Sequence, residues 1–241
     1  VSYTLETNGY DMNNLKDIVE IPIYAIPEWT MKTSLGDYSE KAMQQFSMLA
    51  YDTPETVIKI SDYNKVAALY GNEQYSLNDD EYMVLCDFEQ MINIRDEALK
   101  QNPNIEINGK TYHAKYKECK DGFVLMSTSN MNAGIILVPD SFEIKEEYTE
   151  QYFLAANYNA ETEEEKIELN NVLAGEVDSE LFDNLSEKEI NLEGMTKISL
   201  TEASKGLSTI IIFIAIYLGI VFLIASSAIL ALKQLTESSD N

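Results

Sequence analysis

The longest apolar stretch of the chain lies near its C-terminal end. Residues 207–232 are apolar except for Ser, Thr, Tyr and Gly, and no charged residue occurs between Lys205 and Lys233. As a helix this stretch would rise about 39 Å, whereas the hydrocarbon core of a bilayer is about 30 Å thick. The other interpretation, a buried core helix, seldom stays apolar beyond about 14 residues. The pattern therefore predicts one transmembrane helix.

Small residues recur along one side of this predicted helix. Ala215, Gly219 and Ser226 are separated by four and seven residues, so they share one stripe of the helix surface. Small side chains let a second helix approach closely. Gly, Ala and Ser are also common in membrane helices generally, but the spacing favours packing. We expect Ala215, Gly219 and Ser226 to contact other transmembrane helices.

Ahead of this helix the apolar pattern alternates between the period of a strand and that of a helix. Strands are predicted at 57–60 and 82–86, and helices at 62–70 and 88–99. Gly71 suits the C-cap of the first helix and Asp87 the N-cap of the second, on whose apolar face Arg95 also lies. We expect the two strands of this β-α-β-α unit to be parallel, because an ordinary crossover connection makes them so.

Strict alternation of apolar and polar residues surrounds the dipeptide Asn108-Gly109. Asn-Gly is the dipeptide best suited to a type I′ turn, so residues 105–116 are predicted to form a β-hairpin. Alternation places His113 on the side of the second strand opposite Tyr112. We therefore expect His113 to be a structural residue that faces solvent.

Other segments carry shorter patterns. Buried strands are predicted at 123–126 and 135–138, and a helix at 39–50. Capping-box spacing predicts helices that begin at Thr162 and at Ser186, the first of which ends near Gly175. Residues 1–35 mix short apolar runs with turns, and no single element is predicted there.

Together these elements predict an α+β fold. It would contain a mixed sheet with the β-α-β-α unit and the hairpin, followed by one transmembrane helix; a ferredoxin-like core is one arrangement that fits. The pattern divides the chain into an irregular part at 1–55, an α/β domain at 56–200, a juxtamembrane and transmembrane helix at 201–232, and a further segment at 233–241.

The chain is strongly acidic. It has 41 Asp and Glu against 17 Lys and Arg in 241 residues, a formal net charge of −24 at pH 7, and Arg95 is its one arginine. Because proteins bind nucleic-acid phosphates through Lys and Arg, this composition argues against sequence-general nucleic-acid binding. With 45% hydrophobic and 10% aromatic residues the chain can still build an apolar core.

Signatures of catalysis are missing from the sequence. A histidine-based triad or zinc site would have to use His113, the one histidine, and no phosphate-binding loop motif occurs. Residues 78–81 could offer oxygen ligands to calcium, but their place before a strand favours an ordinary turn. Cys86 and Cys119 could form a disulfide or stay free, and we expect free thiols. The sequence therefore predicts no enzyme, cofactor or metal site.

Residues 214–226 and 230–241 resemble the end of the extracellular domain and the next membrane helix of FtsX-like (MacB-type) ABC transporter permeases. They are most similar to the bacitracin-export-type permeases of Gram-positive bacteria. In that family the helix is followed by Leu-(Ser/Thr)-Glu, which residues 235–237 match. Residues 57–65 and 76–82 are also similar to the extracellular domain of the family.

The resemblance implies that residues 1–205 are extracellular and that the chain from Lys233 onward is cytoplasmic. It implies the non-enzymatic part of a pump, which exports or detoxifies amphipathic substrates such as antimicrobial peptides and relays ATP-driven motion through the helix. The expected partners are a separate ABC ATPase subunit, other transmembrane helices of the same permease, the lipid bilayer and a peptide or lipid substrate. The alternatives are a membrane-tethered binding or sensor module without transport role and a tethered surface hydrolase.

Overall fold

Runs of β-branched and aromatic residues form seven strands that join in one mixed sheet. The computed structural model describes residues 1–47, 49–175, 180–190 and 192–239, apart from the side chains of Leu207 and 234–239. The strands are β1 (Leu15–Thr30), β2 (Pro54–Lys59), β3 (Glu81–Leu85), β4 (Asn104–Ile107), β5 (Lys110–Ala114), β6 (Ile135–Val138) and β7 (Thr149–Tyr158).

Helices connect and cover these strands. The α-helices are α1 (Ser2–Thr7), α2 (Met31–Leu35), α3 (Ser39–Gln45), α4 (Ile60–Tyr70), α5 (Glu89–Gln101), α6 (Glu163–Leu173), α7 (Glu180–Glu187) and α8 (Lys197–Ser239). The chain divides into a first unit, Val1–Met195, with the sheet and α1 to α7, and a second unit from Thr196 onward, which is α8. The predicted α+β class with a mixed sheet and one long apolar helix is confirmed.

The strand order across the sheet is β4-β5-β3-β6-β2-β1-β7. Strand β6 lies between β2 and β3, parallel to β2 and antiparallel to β3. The prediction that β2 and β3 are parallel is therefore wrong: β6, a strand from much later in the chain, lies between them and runs with β2 but against β3, so β2 and β3 run in opposite directions. The observed order along the chain is strand, helix, strand, helix and then the hairpin. A ferredoxin-like core has the order β-α-β-β-α-β, so the protein does not have that arrangement.

The strongest local predictions are confirmed. Helix α4 ends at Gly71, which has φ 76° in the left-handed region. β4 and β5 form an antiparallel hairpin, and both turn residues have positive φ, 53° at Asn108 and 73° at Gly109, as a type I′ turn requires. Helix α6 begins with the capping box predicted at Thr162, whose side chain accepts from the Glu165 N–H.

Four local predictions differ from the structure. Asp87 is not an N-cap; its carboxylate accepts from the Asn132 N–H at 2.7 Å, and Phe88 stands at the N-cap of α5 without a side-chain cap. Residues 123–126 are a loop rather than a strand. Helix α3 ends at Gln45, short of the predicted residue 50. Ser186 lies inside α7 near its end, so no helix begins there.

The first 35 residues escaped prediction because their long strand is irregular. β1 pairs with both β2 and β7, but its register shifts between Lys16 and Val19 and again between Ile23 and Tyr24. Asp17, within the first shift, has φ 54°. Such irregularities change which side chains face the core, so the alternation expected of a strand is lost.

The core lies on both faces of the sheet. Neighbouring residues of β6 belong to different apolar clusters: Leu137 packs with Tyr63 and Val66 of α4, and Ile136 packs with Trp29 and Phe142 on the opposite face. Because strand side chains alternate between faces, the continuous apolar run of β6 fills both clusters. This double burial explains why β6 occupies an interior position of the sheet.

The hairpin turn offers a direct test of this fold. Replacing Asn108 and Gly109 together by Ala removes the two residues that tolerate positive φ, so the free energy of unfolding should fall by about 1–3 kcal/mol. The measurement is urea unfolding of the protein in detergent, followed by fluorescence of the buried Trp29. The control in the same hairpin is exposed His113→Ala, which should change stability by less than ~0.5 kcal/mol. Equal unfolding midpoints for the two variants would contradict the assigned turn.

Candidate functional site

Helix α8 carries an apolar surface that the protein itself does not cover. Its segment Lys197–Lys233 is long and apolar enough to cross a membrane, as predicted. Sixteen large apolar side chains from Ile210 to Leu232 are exposed, among them Phe213 at 71% and Phe222 at 72%. Burying one such side chain is worth roughly 1.5–3 kcal/mol, so moving this whole surface from water into an apolar environment is strongly favourable.

Two hydroxyls of α8, those of Thr201 and Thr209, are hydrogen-bonded to carbonyls of the same helix. Its backbone N–H and C=O groups bond along the helix, as a membrane-spanning segment requires. The Thr209 hydroxyl donates to the Lys205 carbonyl at 2.9 Å. Hydroxyls that bond back to their own helix in this way can enter lipid at little cost. The helix therefore meets the backbone constraint that lipid imposes.

The three predicted packing residues lie together on α8. At 3.6 residues per turn, Ala215, Gly219 and Ser226 fall within about 40° of one another around the helix. Ala215 and Gly219 are exposed and Ser226 is half-buried. A Cβ built on Gly219 meets no atom of the described chain within 4 Å. The stripe is a shallow, unfilled strip on the apolar surface.

A buried ion pair joins three elements of the first unit. Arg95 of α5 forms a two-pronged contact with Glu55 of β2, and its Nη2 donates to Glu55 Oε2 at 3.0 Å. Arg95 Nε also donates to the Ala133 carbonyl at 3.1 Å, just before β6. The side chains of Arg95 and Glu55 are only 3% and 5% exposed. Burial would lower the pKa of Arg95, but attraction to Glu55 outweighs it and raises that pKa.

Gly134 is needed for this arrangement. A Cβ at that position would lie 2.4 Å from Arg95 Nη2, and the backbone has φ 151°. The guanidinium therefore occupies the space that a side chain would take. Nearby, the Tyr82 hydroxyl is buried without a hydrogen-bond partner among the described residues, and burial raises its pKa. The ion pair was missed as a site, although Arg95 on an apolar helix face was a signal for it.

The two cysteines lie near this ion pair. Both thiols are free, as predicted; Cys86 is buried and Cys119 partly exposed. A hydrogen bond with Cys119 lowers the pKa of the Cys86 thiol, against the effect of burial. The same bond, together with burial, raises the pKa of Cys119. The Cys86 thiol also donates to the Phe88 carbonyl, whose oxygen lies 3.8 Å from the sulfur.

The other sequence candidates form ordinary structural contacts. His113 is exposed, with Nδ1 2.8 Å from Asn104 Oδ1. Residues 78–81 form a turn, in which the Glu81 N–H donates to the Asn78 carbonyl and the Glu81 carboxylate accepts from the Asn78 N–H. Within the described part of the chain, no cluster of three or more His, Cys, Asp and Glu could hold a metal ion.

Known proteins provide no relative for this arrangement. Comparison of the chain with protein-family models, with curated proteins and with solved structures finds no match. The interpretation of the site therefore depends on its own geometry.

Breaking the ion pair should be costly. Glu55→Gln leaves a buried guanidinium without its counter-charge, and we expect a loss of about 3–5 kcal/mol in the free energy of unfolding, measured by urea unfolding in detergent. Replacing both partners, Glu55→Leu with Arg95→Met, should recover most of that loss because no unpaired charge remains.

The matched control for Glu55→Gln is an ion pair on the surface of the same helix. Lys100 Nζ lies 3.0 Å from Glu97 Oε1, and both side chains are about half-exposed. Lys100→Ala should leave the unfolding midpoint within experimental error. If Glu55→Gln and Lys100→Ala had equal effects, the buried pair would not hold β2, α5 and the loop before β6 together.

Proposed function

We propose that this chain is the extracellular domain and the following transmembrane helix of an ABC transporter permease. The permease exports or detoxifies amphipathic substrates, such as antimicrobial peptides, and its ATPase is a separate subunit. The observation that carries this proposal is α8, a continuous helix with an uncovered apolar span and a stripe of small residues open to a second helix. The resemblance of residues 214–226 and 230–241 to FtsX-like permeases supports it.

Helix α8 suits the transmission of force. It has 43 residues, so it extends about 64 Å, roughly twice the hydrocarbon thickness. The hydroxyl of Thr196 accepts from the Ser199 N–H at 3.1 Å, which caps the start of the helix. A capped helix without proline moves as one rod, because neither a kink nor a missing backbone bond interrupts it. Motion at its cytoplasmic end is then relayed to its extracellular end.

The stripe of Ala215, Gly219 and Ser226 is the surface on which a neighbouring helix of the permease packs. Lipid tails are as apolar as leucine, so helices associate in membranes through close backbone contact rather than through hydrophobic burial. Gly219 has the smallest side chain in the stripe and marks the closest approach. The first unit, with residues 1–195 outside the cell, meets the substrate.

A membrane-tethered binding or sensor module is the second candidate. The observation that favours it is that α8 by itself is long and apolar enough to anchor the first unit in a membrane. Such a module would need lipid around α8 but no ATPase and no helix against the stripe. The two candidates therefore differ in partners rather than in fold.

Gly219→Leu tests the proposal in the complete permease reconstituted with its ATPase. A leucine would separate the two helix backbones, so we expect peptide transport to fall roughly tenfold while ATP hydrolysis continues. Ala228→Leu is the matched control. Ala228 lies about 160° around the helix from the stripe, so a leucine at this position projects away from the helix that packs on the stripe. Transport with Ala228→Leu should stay within about twofold of the unaltered protein.

Two results would contradict the proposal. Equal transport by the Gly219→Leu and Ala228→Leu variants would mean that the stripe packs on no helix. If no ATPase subunit co-purified with the protein from its own membranes, the tethered module would replace the permease as the function.

A further inference from the structure

Cys86 and Cys119 lie on two segments that share backbone hydrogen bonds. Leu85 and Lys120 are opposite each other in a parallel bridge. The Cys86 N–H donates to the Lys120 carbonyl at 3.0 Å, and the Lys120 N–H donates to the Val84 carbonyl at 2.9 Å. In this register Cys119 is opposite Val84, two residues before Cys86. Because alternate residues of a strand share a face, the two thiols lie on the same face.

Both cysteines also pack in one apolar cluster. Cys86 belongs to the cluster of Leu35, Met91 and Ile94, and Cys119 packs against its edge. Each thiol shifts the pKa of the other, downward for Cys86 and upward for Cys119. Cys86 is only 2% exposed, whereas Cys119 is partly open to solvent. A small reagent can therefore reach the Cys119 thiol, whereas the Cys86 thiol is shielded from solvent.

We propose that Cys86 and Cys119 form a redox pair, which a low-molecular-weight disulfide oxidises to an intramolecular disulfide. The oxidant reaches Cys119, and because only a thiolate attacks, the raised pKa of Cys119 makes this step slow at neutral pH and faster as the pH rises. Cys119 loses its proton to solvent and attacks one sulfur of the oxidant, which forms a mixed disulfide and releases one small thiol. Cys86 then loses its proton and attacks the Cys119 sulfur, which forms the Cys86–Cys119 bond and releases the second small thiol.

The reaction balances without any other reagent. The two protein thiols give up two electrons and two protons, and the small disulfide takes up both to become two small thiols. The oxidant is abundant outside the cell and scarce in the cytoplasm, where thiols are kept reduced. Whether the disulfide forms in the cell therefore rests on the proposed extracellular location of the first unit. The reaction of the two thiols with a small disulfide in buffer does not depend on that location.

The bond would fix the segment after the hairpin to the end of β3. The Cys119 N–H already donates to Asp96 Oδ1 of α5 at 2.7 Å, so a disulfide adds a covalent link to a region that a helix holds in place. A cross-link between residues 86 and 119 removes conformations from the unfolded chain. The expected result is a thermal unfolding midpoint raised by roughly 5–15 °C.

The test uses the whole chain in detergent, incubated with reduced and oxidised glutathione in varied ratios. After acid quenching and alkylation, intact mass distinguishes two free thiols, a glutathione adduct and an internal disulfide, which is about 2 Da lighter than the dithiol. We expect the internal disulfide, with the raised midpoint, and its loss on treatment with a reduced dithiol. Cys86→Ala is the control, in which Cys119 should keep a glutathione adduct and the midpoint should not rise.

Free thiols or a stable glutathione adduct in the unaltered chain at the most oxidising ratio would overturn the redox pair. Thiol trapping in intact cells then separates this inference from the proposed function. A disulfide in cells agrees with both. A pair that oxidises in glutathione buffer but stays reduced in cells would keep the redox pair and overturn the extracellular location.

Discussion

Helix α8 is long and apolar enough to cross a membrane, and its apolar span is exposed. The hydrophobic effect favours moving the exposed side chains from Ile210 to Leu232 out of water and into an apolar environment. A bilayer would provide such an environment for α8. In lipid, the stripe of Ala215, Gly219 and Ser226 would matter because close contact between helices is a main way in which a membrane span selects its partner helix.

In the first unit, the ion pair of Glu55 and Arg95 has a comparable organising role. It joins β2, α5 and the loop before β6 through one guanidinium in a chain with a single arginine. An unpaired charge at this depth is costly, so the pair favours the arrangement in which these three elements meet. Gly134 leaves room for it. The same region carries Cys86 and Cys119, so the ion pair and both thiols lie at one end of the sheet.

Features coded by adjacent residues could be predicted from the sequence. The Asn108-Gly109 turn, the capping box at Thr162 and the apolar span of α8 each follow from residues a few positions apart. The place of β6 between β2 and β3 could not, since it depends on strands far apart in the chain. The small-residue stripe was visible in the sequence, whereas the partner of Arg95, 40 residues away, had no local signal.

The central claim is that α8 spans the membrane with the first unit outside the cell. Accessibility of introduced cysteines to an impermeant thiol reagent in intact cells tests it most directly, in a background of Cys86→Ala and Cys119→Ala so that no native thiol reacts. The account predicts that Thr201→Cys is labelled in intact cells and that Thr236→Cys is labelled only after the membrane is permeabilised. Labelling of Thr236→Cys in intact cells would contradict it.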